Sequence, residues 1–109
     1  MVAVASKASL SPQRKRLVEL MQGLNFGSVE GLHVRAGEPT FNPPLRVIRE
    51  VKFGGDNGPR LEMARRDFAL KAEVLDLFAQ MDAMGDGIIR SLEVKHGLPF
   101  KMAVEEDAA

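Results

Sequence analysis

Residues able to do chemistry are sparse in this chain of 109 residues. His33 and His96 are its two histidines, and cysteine is absent. The lack of cysteine removes disulfides, thiolate metal sites and cysteine nucleophiles together, and it fits a reducing, cytoplasmic setting. A metal centre needs several His, Asp or Glu at ligand spacing, and no such cluster is present in the sequence. His33 reads as an outward strand residue and His96 as a turn residue beside Gly97, both solvated. The helical carboxylates Glu73, Asp76, Asp82 and Asp86 read as a solvated face rather than an acid–base pair. No hydroxyl sits in a GxSxG-like context. The expectation is a non-enzymatic protein with no cofactor and no metal.

Two further features invite a ligand. Gly54-Gly55-Asp56-Asn57-Gly58-Pro59 is glycine-rich, as phosphate-cradling loops are. Such loops add GK[ST], however, and here Lys52 precedes the glycines, so the segment reads as a plain turn. The second feature is a set of cations: Arg46, Arg49 and Lys52 on one predicted strand, with Arg60, Arg65 and Arg66 beyond the loop. Gathered on one face, they would attract a phosphate backbone in a salt-dependent, weakly specific way. Glu50 and Glu62 interrupt the set. There is no Trp or Tyr to stack on bases, and all six Phe fit the core or turns. Nucleic-acid binding is therefore the alternative reading.

The formal net charge of zero conceals a split. Residues 1–66 hold eleven Lys/Arg against six Asp/Glu, whereas residues 67–109 hold four against nine. The halves either neutralise one another across a folded surface or attract each other between copies. A hydrophobic content of 45% with 28% charge fits one domain of this size with its own core. No run of about 18 apolar residues is present to span a membrane. Residues 1–10 carry no long apolar run and are expected to form a disordered tail rather than a signal peptide.

The elements that must position these residues come in two copies. LVELMQGLNFGSVEGLHVRAGEP, Leu17 to Pro39, aligns without a gap to LFAQMDAMGDGIIRSLEVKHGLP, Leu77 to Pro99. Seven of the 23 positions are identical, where average composition gives roughly one or two. Ser11-Pro12 is a helix start, with serine as N-cap and proline at the first helical position. Leu17, Val18, Leu20, Met21 and Leu24 form the apolar stripe, leaving Arg14 and Gln22 to water. Ser28 to Arg35 reads as a strand whose alternation fails at Val29, as it does at Ile89 in the second copy. That shared fault predicts a bulge near Glu30 and Arg90, or burial on both faces there. Ala36-Gly37 and His96-Gly97 are tight turns, with positive φ expected at both glycines.

A third strand is expected over Leu45 to Phe53, after Pro43-Pro44 interrupts the ladder, with Leu45, Val47, Val51 and Phe53 facing one way. Helix two is placed at Phe68 to Met84 with Asp67 as N-cap and a stripe of Leu70, Val74, Leu77, Phe78, Met81 and Met84. Ile88 to Lys95 and Pro99 to Val104 complete the second copy, with Phe100, Met102 and Val104 facing in. The fold expected is α+β: duplicated αββ units, two helices packed on one face of an antiparallel sheet of about five strands. Repeat one spans 11–53, a linker 54–66, repeat two 67–104, and an acidic tail 105–109. Phe68, Leu75 and Ala79 add a second apolar strip to helix two. With the opposed half-charges, this makes a self-associating interaction module, a homodimer, the first functional reading.

Residues Leu17 to Phe53, with Phe26-Gly27-Ser28-Val29-Glu30, the Gly37 turn and a strand bearing Arg46, Arg49 and Lys52, resemble the small bacterial YezD-like family. Its members are little more than one such unit. The resemblance covers about a third of the chain and carries over no catalytic residues. Pro43-Pro44 and the second copy depart from the pattern. It implies that one unit associates with another, and that this chain has fused the pair.

Overall fold

A computed structural model describes residues 6–54 and 71–106. The element order is α1 (Pro12–Leu24), β1 (Gly27–Arg35), β2 (Glu38–Thr40), β3 (Arg46–Arg49), α2 (Ala72–Met84), β4 (Gly87–Lys95) and β5 (Leu98–Glu105). All strand pairings are antiparallel. β1 and β4 form the centre, β5 flanks β4, and β2 and β3 follow one another along the outer edge of β1. The fold is α+β with five strands, as the sequence predicts.

Serine and proline start α1 as expected. The Ser11 hydroxyl accepts from the Arg14 amide at 3.2 Å and Pro12 opens the helix. Asn25, with φ +63°, and Gly85, with φ +70°, terminate the two helices. The hairpin turns put positive φ on both central residues: +50° and +77° at Ala36-Gly37, +55° and +73° at His96-Gly97. That is the type I′ geometry whose twist matches the flanking strands.

The core is one cluster between the helices and the sheet. Leu17, Val18 and Met21 of α1 lie under cover, as do Leu77, Phe78 and Met81 sixty positions later. Val29, Leu32 and Val34 of β1 do the same with Ile89, Leu92 and Val94 of β4. The register is equally balanced. Gly27 opposes Val94 while Val34 opposes Gly87, so exchanging the two units leaves the β1–β4 pairing unchanged. The outer strands match in part: Pro39 opposes Val34 as Pro99 opposes Val94, and Val47 opposes Val29 as Val104 opposes Ile89. Between those points the first unit carries three more residues than the second, and they fall where β2 gives way to β3 at Asn42-Pro43-Pro44.

Several expectations need correction. Residues 1–10 are not a tail throughout: Lys7–Ser9 form a 3-10 turn, and Lys7 is buried with its ammonium 2.9 Å from Glu19. The third strand is four residues, Arg46–Arg49, rather than Leu45 to Phe53. All four are exposed, because the strand lies outside the cover of the helices, and Val51 and Phe53 beyond it are exposed too. Helix two starts at Ala72, after an extended Lys71, rather than at Phe68. Gln22, expected in water, is 6% exposed. Asp67, Phe68 and Leu70 lie outside the described residues, as does the linker from Gly55 on. Of the two expected bulges, the one at Arg90 appears where β4 meets β5, as a register shift between Ile89 and Ser91, whereas Val29 and Glu30 pair with β3 and β4 without a shift. A second shift leaves Phe100 without a partner, since Val94 opposes Pro99 and Glu93 opposes Lys101. This turns Phe100 outward to 58% exposure instead of into the core.

Candidate functional site

Nothing in the described structure gathers the predicted chemistry into a catalytic centre. His33 is half-buried on β1, opposite Ile88 and Thr40. His96 is exposed in its turn, its ring edge-on to Phe26 at 4.8 Å between centroids. Among the described residues no three His, Cys, Asp or Glu are grouped to hold a metal ion. The helical carboxylates divide by role. Glu73 and Asp76 lie on the flank of α2 toward β5, Asp82 pairs with Arg14, and Asp86 accepts from the Ala36 amide at 2.8 Å.

Of the basic set, Arg46, Arg49 and Lys52 lie within the described residues. Arg60, Arg65 and Arg66 lie outside the described residues. Arg49 donates through Nη1 to the Leu24 carbonyl at 3.1 Å, closing the last turn of α1. Its charge is thus held against the helix end. Arg46 is exposed on β3 and Lys52 lies beyond it.

What the surface does show is apolar. Among the described residues the large exposed hydrophobic side chains are Val47, Ile48, Val51, Phe53, Leu75 and Phe100. Five of the six lie on the outermost strands or directly after one. Val47 and Ile48 are on β3, Val51 follows it, and Phe53 beyond is 95% exposed. Phe100 stands on β5 at the opposite edge, under the Lys95 ammonium at 4.0 Å. The sixth, Leu75, is 41% exposed on α2, one turn from exposed Ala79, on the side opposite the core stripe. Phe68, the third member of that predicted strip, lies outside the described residues.

β5 and β2 each also form a groove with the helix of their own unit. One lies between α2 and β5, with a volume of about 220 Å³, floored by Leu77, Leu92 and Pro99 and bordered by Glu73, Asp76 and Phe100. The other lies between α1 and β2, with a volume of about 630 Å³, and includes Gln13, Arg16, Arg35 and Phe41. Arg16 lies over the Phe41 ring at 4.1 Å. Sequence reasoning missed both grooves. Their signal was present in the charge difference between the N-terminal turns of the two helices, Gln13 and Arg16 against Glu73 and Asp76.

The residue most underestimated is Arg14. Its side chain is 17% exposed and joins three elements. The guanidinium donates to the Gly37 carbonyl at 2.9 Å and to Asp82, lies over the Phe78 ring at 4.8 Å, and stands 3.7 Å from Glu38. It belongs to the framework between the units rather than to an open site. No family model, no curated protein and no solved structure matches this chain.

Among the described residues, no helix is long and apolar enough to cross a membrane.

Proposed function

We propose that this protein is a non-enzymatic interaction module that associates with copies of itself through the edges of its sheet, beginning as a homodimer. One observation carries the reading: among the described residues, five of the six large exposed hydrophobics lie on β3 and β5, at the two edges of the sheet, or just beyond β3. An edge strand presents unpaired amides and carbonyls, which natural proteins blunt with short strands, charge, proline or bulges. β2, β3 and β5 carry some of these, while β3 and β5 still expose apolar side chains. Here Phe100 and Val47 stand beside such edges, which suits strand addition, where main-chain bonds supply affinity and side-chain pockets supply selectivity. Leu75 and Ala79 on α2 offer further apolar area. A cytoplasmic location and descent from a doubled αββ unit, as the YezD-like resemblance implies, are compatible parts of the same proposal.

Nucleic-acid binding has less support. Of its six residues three are undescribed, and Arg49 is bonded to the end of α1. Retardation of mixed oligonucleotides in a low-salt gel, lost on replacing Arg46 and Lys52, would favour it.

The test of self-association is sedimentation equilibrium of the full chain across a concentration series. The expected result is a mass that rises above the 11.9 kDa of one chain. A single-chain mass at high micromolar concentration would remove the proposal.

A further inference from the structure

The α1–β2 and α2–β5 grooves occupy equivalent places in the two units yet, among the described residues that line them, carry opposite charge, and this bears on how copies meet. Gln13 and Arg16 of α1 stand sixty positions before Glu73 and Asp76 of α2, and Pro39 sixty before Pro99. In the α1 groove Arg16 and Arg35 outweigh Glu38, which already accepts from the Ser11 hydroxyl at 2.7 Å and faces Arg14. In the α2 groove Glu73 and Asp76 outweigh Lys101, whose ammonium is held 3.5 Å from Glu93. Among the described residues neither Glu73 nor Asp76 forms an ion pair.

We infer that copies join head to tail, with the β5 edge and acidic α2 groove of one copy against the β2–β3 edge and basic α1 groove of the next. This rests on the self-association proposed above. Strand direction permits the arrangement. In the antiparallel order β2/β3, β1, β4, β5, the two outer edges run oppositely, so a copy set alongside in the same orientation continues the antiparallel sheet. The helices then remain on one face, and the flank of α2 bearing Asp76 approaches the flank of α1 bearing Arg16. Two symmetric alternatives fail on charge. Pairing β5 with a second β5 sets Glu73 and Asp76 against themselves, and pairing β3 with a second β3 sets Arg16 against Arg16. Each symmetric pair would also leave the apolar residues of the other edge exposed, whereas the head-to-tail contact covers Val47, Ile48 and Phe100 together. Such a contact does not close on itself, so a dimer retains one free groove of each sign and growth beyond two copies follows.

Complementary charge reversal tests this. Arg16→Glu alone and the double variant Glu73→Lys/Asp76→Lys alone should each weaken self-association by about tenfold or more. Their equimolar mixture should restore it, and raised salt should weaken the wild type. Arg16→Gln and Asp76→Asn, read beside them, should give weakening of the same sense if a reversal variant loses its far-UV dichroism. Wild-type protein that associates while Arg16→Glu associates equally well would overturn the head-to-tail contact alone. Folded variants that fail to complement would do the same. Wild-type protein that stays single-chain throughout would remove the underlying self-association.

Discussion

The amide of Gly97 donates to the carbonyl oxygen of Asn25 at 2.9 Å, so the hairpin turn of the second unit caps the end of the first unit's helix. The reciprocal bond runs from the Gly37 amide to the Gly85 carbonyl at 2.7 Å. The carbonyls at a helix end lack intrahelical partners, and each unit satisfies one for the other. The turns need positive φ to aim those amides, which is why glycine stands at both. Helix termini and hairpins are thereby tied across the centre of the molecule rather than within one half.

Replacing Gly37 or Gly97 by valine is expected to cost about 1–2 kcal/mol or more, because a β-branched side chain resists that region. At Gly37 the side chain also meets α2. A Cβ there would lie 2.9 Å from the Asp82 carboxylate and 3.5 Å from its Cα. Urea unfolding of the two variants checks the size of each loss.

Gly27 holds β3 in place by its lack of a side chain. With φ +151° its backbone approaches β3 so closely that a Cβ would lie 2.0 Å from the Ile48 carbonyl oxygen. Gly27→Ala is expected to cost about 1–3 kcal/mol by forced displacement. Because the clash is with backbone, the loss should appear first as faster exchange of the amides of β3, with α2 and β5 little affected. Uniform loosening of the whole sheet would contradict this.

Arg14 and Asp82 differ in what they risk. The guanidinium is mostly buried, so Arg14→Met is expected to cost about 1.5–3 kcal/mol through loss of charge-assisted bonds to the Gly37 carbonyl and Asp82. The Asp82 side chain is 64% exposed and its part is screened, so Asp82→Asn is expected to cost less than about 1 kcal/mol. Thermal unfolding of the single and double variants separates the two. Equal losses would show that the ion pair, rather than the carbonyl contact, holds the helices together.

How much of this was readable in advance follows from which forces act locally. Ser11-Pro12, the glycine turns and the stripe of Leu17, Met21, Leu77 and Met81 express local geometry and helical period, and they stand where the sequence puts them. The irregularity at Ile89 was visible as broken alternation and corresponds to the extra residue at Arg90, while the matching one at Val29 has no register shift beside it. Phe100 was misread because a single inserted residue in the pairing reverses the face of a side chain, and no local feature of Leu98 to Val104 announces it. Arg14 was misread because its partners, Gly37 and Asp82, lie far away in the chain. The bond from Arg49 to the Leu24 carbonyl was not legible either, because a sequence shows the charge and not the carbonyl it reaches. The two grooves arise only when helix and strand of each unit lie side by side.

Amide hydrogen exchange measured at several protein concentrations addresses the edges themselves. If copies meet edge to edge, amides of Arg46–Arg49 and Leu98–Glu105 that face away from the sheet become slower to exchange as concentration rises, while those between β1 and β4 stay constant. Exchange at both outer strands that is independent of concentration, up to the millimolar range, would contradict edge-to-edge association.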